Sequence, residues 1–110
     1  MKNGNIFEIG GSEGQTNEIF EILADGSARI ERIISHGQIT PENKWYNQDM
    51  DEWVVLIQGK STILFENNIE IQLIAGDYLL IPAHKAHRVI YTSTSPACIW
   101  IAIHGKFSGI

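Results

Sequence analysis

From Asp25-Gly26 onward, nearly every stretch of this chain is short, rich in Ile, Val, Leu, Tyr and Thr, and closed by turn residues. That rhythm constrains the fold more than any other feature. Parallel strands need a crossover of a dozen or more residues, usually a helix, and no gap between these stretches is long enough to hold one. The expected strands are Ala28 to Ser35, Lys44 to Asn47, Glu52 to Gln58, Ser61 to Glu66, Ile69 to Ile74, Tyr78 to Ile81, His87 to Thr92 and Ala97 to His104. Gly59-Lys60 and Asn67-Asn68 can supply the positive φ of tight hairpins, and Ala75-Gly76-Asp77 makes a further turn. Eight antiparallel strands suffice for a closed sandwich.

Before Asp25 the pattern differs. Met1 to Gly14 is rich in Gly and Asn, while Thr16 to Ala24 spaces Ile19, Phe20, Ile22 and Leu23 as a short amphipathic helix would. The sequence therefore predicts a lead-in over residues 1–27 with a short helical or irregular segment, followed by one barrel over 28–110. At 110 residues, 44% apolar and 19% charged, the chain can bury the core of a single domain.

Composition also narrows the partners. A net charge of -5 with no Lys or Arg cluster argues against nucleic acid. The longest apolar run, Ile99 to Ile103, is far short of the roughly 20 residues a membrane helix needs. The single cysteine, Cys98, allows no internal disulfide, and the first residues lack a signal-peptide profile, so a cytoplasmic location is expected. No nucleophile elbow and no phosphate-cradling glycine loop is present.

The residues that carry chemistry fall in two segments. Gly76-Asp77-Tyr78-Leu79-Leu80-Ile81-Pro82-Ala83-His84-Lys85-Ala86-His87 resembles the second cupin motif, in which a Gly, five residues, a Pro, a short turn and a metal-binding His follow one another. Tyr46-Asn47-Gln48-Asp49-Met50-Asp51-Glu52, running on to Gly59, resembles the first, His-x-His, then Glu, then Gly. The resemblance implies an all-β jelly-roll barrel with a metal site at its centre. Glu52, Gly59 and His87 match the motifs, whereas Tyr46 and Gln48 stand where the paired histidines would be. Gln48, Glu52 and His87 are thus the expected ligands of a divalent ion, Zn, Mn, Fe or Ni, with coordination weakened by a neutral amide and a phenol.

Other candidates rank behind these. Tyr46 and Tyr91 share strand parity with Gln48 and His87 and are the expected catalytic or substrate-positioning groups; by the same parity Arg88 points away. His84 is expected on a surface turn after Pro82. His36 and His104 are read as structural or solvent-facing histidines that could supply missing ligands, and Cys98 as an inert buried residue. The remaining aromatics are expected mainly in the core, and Asp49-Met50-Asp51 in a solvated loop. Three functions remain open at this point: a metal-dependent isomerase, lyase or oxygenase on a small polar molecule; a metal-free binding module for a sugar or small acid; and a homodimer joined through faces such as Ile99, Ile101 and Ile103.

Overall fold

A computed structural model describes residues 1–107, so the last three positions of the barrel domain expected from sequence lie outside the described residues. Eight strands follow one another: β1 (Ile19–Asp25), β2 (Arg29–Ser35), β3 (Asp51–Gln58), β4 (Lys60–Phe65), β5 (Glu70–Ile74), β6 (Tyr78–Ile81), β7 (His87–Thr92) and β8 (Cys98–Gly105). Every pairing is antiparallel. Five strands form one sheet in the order β1-β2-β8-β3-β6, and three form the other, β5-β4-β7. The all-β jelly roll expected from the sequence is the fold observed.

The two sheets meet through alternate side chains. Glu52, Val54 and Leu56 of β3 are buried while the residues between them are half-buried, and Ser61, Ile63 and Phe65 of β4 repeat the pattern. Val54, Leu56, Ile63, Phe65, Leu73, Ile81, Cys98, Trp100 and Ala102 make one continuous core across both sheets. Leu56 is fully buried; removing such a side chain from water contributes about 1.5–3 kcal/mol. Core aromatics are fewer than expected, because Trp45 and Tyr78 are exposed.

The turns follow the sequence signals. Asn68 has φ 65° in the β4–β5 hairpin, Gly59 has φ 94° between β3 and β4, and Gly76 has φ 97° before β6.

Two expectations are corrected. The helix over Thr16 to Ala24 is absent: Ile19–Asp25 is strand β1, paired with β2 from Ile19↔Ile34 to Asp25↔Arg29. A nine-residue helix is marginal in water, and the open edge of β2 offers backbone partners instead. The strand over Lys44 to Asn47 reduces to a single bridge, Tyr46↔His87, with backbone bonds of 2.8 and 3.1 Å, before the chain bends at Asp49 and Met50 into β3.

Polar ties hold the lead-in to the barrel, among them the Gln38 amide donating to the Gln15 carbonyl at 2.9 Å. Arg32, on the outer face of β2, donates to the carbonyls of Ile6 and Glu8 and pairs with Glu21 at 2.9 Å. Buried Ser12 bonds the His36 ring at 2.9 Å. No helix among the described residues is long and apolar enough to cross a membrane.

Candidate functional site

Between the sheets lies a cavity of about 370 Å³, near the small end of the range for small-molecule sites. Strand register explains its polar wall. Across the five-stranded sheet, Arg29 pairs with His104, and His104 with Glu52, so three ionisable side chains form one row on the inner face. Glu31 lies two residues along β2 from Arg29 and shares its face. The apolar part of the lining includes Phe20, Ile33, Val54, Ile63, Val89 and Trp100.

His87 enters from the facing sheet at the start of β7, 6% exposed. Its Nδ1 lies 2.9 Å from the Lys85 carbonyl, an acceptor only, so Nδ1 carries the proton and donates. In the neutral ring Nε2 is then the lone-pair nitrogen, 3.8 Å from Glu52 Oε1. The Gln48 amide donates to the same Glu52 oxygen at 3.0 Å. The Tyr46 ring stacks on the His87 ring, centroids 5.7 Å apart and planes 24° apart. Burial, and then the negative charges of Glu18, Glu52 and Glu31, hold the Tyr46 phenol above its ordinary pKa, so it stays protonated.

Four of the five residues singled out by sequence, Tyr46, Gln48, Glu52 and His87, thus line one cavity. Tyr91 does not. Half exposed, it is displaced by an irregularity in the β4–β7 register, where Thr62 faces Tyr91 but Ile63 faces Val89. The extra residue reverses the parity that linked Tyr91 to His87. His84 occupies the surface turn, with φ 63° and its ring bonded to Asn47. Cys98 is buried against the Lys60 carbonyl. Asp51, expected in a solvated loop, accepts backbone N–H bonds from Ala83 and Phe107, which hold its carboxyl below the usual range.

The donors do not fit a resident divalent ion. Catalytic metal sites of this kind use at least three protein ligands, and only Glu52 and His87 are strong donors at the motif positions. The Gln48 amide faces Glu52 through its nitrogen, and the Tyr46 phenol, stacked on the His87 ring, is a weak donor unless ionised. Among the described residues no group of three or more His, Cys, Asp or Glu side chains converges as a metal site would require.

Arg29, Glu31 and Glu18, which belong to no motif in the sequence, and His104, expected to be structural or solvent-facing, also line the cavity. Buried His104 lies with Nε2 3.4 Å from Glu31 Oε1. Glu18 binds the Ser35 hydroxyl, and burial raises its carboxyl above the ordinary value despite that bond. The available signal was the spacing of Arg29, Glu31 and Ile33 on one strand face, but parity alone does not say which face is inside.

Comparison with known proteins places this geometry in context. The sequence matches the family described as Cupin domain over residues 31–104. A crystal structure from Ralstonia eutropha JMP134, of a candidate mannose-6-phosphate isomerase, is 37% identical, with a TM-score of 0.90 over 97% of this chain and 100% of that one. An RmlC-like cupin protein from Desulfovibrio desulfuricans shares the fold at 17% identity and a TM-score of 0.72, over 97% and 99% of the two chains. So does Fe(II) HppE, at 14% identity and 0.66, over 79% of this chain and 49% of that one. No curated protein matches the sequence.

Proposed function

Because the chain belongs to the cupin domain family, we propose that its cavity binds one small polar molecule and moves a proton on it without a resident metal ion. The observation that carries this reading is the His87–Glu52 pair: a histidine with Nδ1 committed to a backbone carbonyl and Nε2 turned to a carboxylate 3.8 Å away. His87 Nε2 accepts a proton from the ligand, and Glu52 stabilises the imidazolium that results. Tyr46, kept protonated beside the same ring, donates a hydrogen bond to a ligand oxygen on which charge develops. A base and a neutral donor side by side suit removal of a proton next to a carbonyl, the step shared by aldose–ketose isomerisation and epimerisation. The similarity to the Ralstonia protein supports the isomerase class.

The test is deuterium incorporation at C2 of D-mannose and of D-mannose 6-phosphate in D2O, followed by NMR. The wild type is expected to exchange at least one of the two, and His87→Gln to lose about 10²-fold or more of that rate. EDTA should change nothing, and the metal content of untagged protein should be well below one ion per chain. Exchange of neither compound, or exchange abolished by EDTA and restored by a divalent ion, would sink the reading.

A further inference from the structure

The β2–β8 wall of the cavity carries polar atoms that the proton-transfer step does not use. His104 is 5% exposed, and its Nε2 has no hydrogen-bond partner among the described residues. Arg29 is half-buried, and its Nε, like those of Arg32 and Arg88 outside the cavity, is buried without a partner among the described residues. Glu31, its side chain 13% exposed, approaches His104 at 3.4 Å, and among the described residues Arg29 has no carboxylate within ion-pair distance. Buried polar atoms are nearly always satisfied, and His104 Nε2 has beside it only the Glu31 carboxylate at 3.4 Å, without hydrogen-bond geometry, so this part of the cavity wall points to what fills the cavity.

We propose that Arg29, Glu31 and His104 form a subsite for the adjacent hydroxyls of an uncharged sugar or polyol, and that this subsite discriminates against a phosphorylated one. The inference rests on the reading that the cavity is the ligand site. A hydroxyl both donates and accepts, so neighbouring hydroxyls can take the Arg29 N–H while donating to Glu31 and to His104. A phosphoryl group only accepts. It would satisfy Arg29 but leave Glu31 without a donor, and it would bring further negative charge among Glu18, Glu31 and Glu52, which line the same cavity. One guanidinium does not offset three carboxylates. The specificity therefore differs from the phosphorylated sugar for which the similar Ralstonia protein is described.

Calorimetric titration of the full chain with D-mannose and with D-mannose 6-phosphate tests this directly. The neutral sugar is expected to bind at least about tenfold more tightly than its phosphate. Glu31→Gln and His104→Gln should each weaken the neutral sugar by about tenfold, and Glu31→Gln should narrow the discrimination by removing a negative charge. Near-UV circular dichroism checks that each variant folds, with Arg29→Gln as a third arm if one does not. Equal or tighter binding of the phosphate, no binding of either compound, or unchanged neutral-sugar affinity in Glu31→Gln overturns the subsite. Deuterium exchange separates this from the broader reading: if exchange persists and depends on His87 while Glu31→Gln leaves affinity intact, the subsite fails and the proton-transfer site stands.

Discussion

Two glycines with nearly the same positive φ should respond very differently to substitution. At Gly59, φ 94°, an added Cβ would lie 2.9 Å from the Cys98 Cα and Sγ and 2.8 Å from Ser93 Oγ. The backbone atom cannot swing aside, so Gly59→Ala combines left-handed strain with overpacking and should cost about 2–4 kcal/mol. At Gly76, φ 97°, nothing lies within 4 Å of the added carbon, and Gly76→Ala should cost only about 1 kcal/mol of backbone strain. Urea unfolding of the two variants measures the difference; equal losses would show that strain alone decides. Both glycines were legible in sequence, as were Glu52 and His87, because motif spacing names positions. Arg29 and Glu31 were not. A charged residue on a strand is ordinarily read as facing water, and only the closing of the second sheet over β2 shows that these face the cavity.

Among the elements, the N-terminal segment shows where local pattern gives way to tertiary context. Ile19, Phe20, Ile22 and Leu23 satisfy a helical spacing, but Ile19, Phe20 and Ile22 pair along β2 once that strand's edge is available, with Leu23 at a register shift between Ile22 and Ala24. Apolar packing holds the strand only in part: Ile19 and Leu23 are half-buried, but Phe20 and Ile22 are more than half exposed. Arg32 makes the most extensive fastening, by reaching from β2 to the lead-in carbonyls and to Glu21. Arg32→Ala should therefore loosen residues 1–18 far more than the barrel. The expected result is rapid protease nicking in that stretch, with a loss of global stability of about 1–3 kcal/mol. Unchanged resistance to proteolysis would assign the fastening to Ser12–His36 and the β1–β2 backbone bonds instead. The register irregularity that turns Tyr91 outward belongs to this scale too. No residue type in His87 to Thr92 marks it, so the parity inference for Tyr91 had nothing in the sequence to correct it.

At the level of the whole molecule, the cavity and the clamps around it set opposite pH dependences. Glu18, on the cavity wall, has its carboxyl raised by burial. The folded state then keeps a proton that the unfolded chain has already released, so Glu18 lowers stability as pH rises from its unfolded value through the folded one. Asp51 acts the other way. Its carboxyl is depressed by the Phe107 and Ala83 N–H bonds, so its contribution is present above the unfolded value and is lost as pH falls through the folded one. Glu18→Gln should accordingly raise the Tm by a few degrees at pH 7 and leave it unchanged near about pH 3, where the native carboxyl is itself protonated. Asp51→Asn should lower the Tm at pH 7, with the penalty shrinking in acid. Thermal melts of both variants across that range check the signs. If Glu18→Gln instead destabilises at pH 7, the Ser35 hydrogen bond outweighs the burial of the charge, and an acidic cavity wall is compatible with a stable fold even before a ligand enters it.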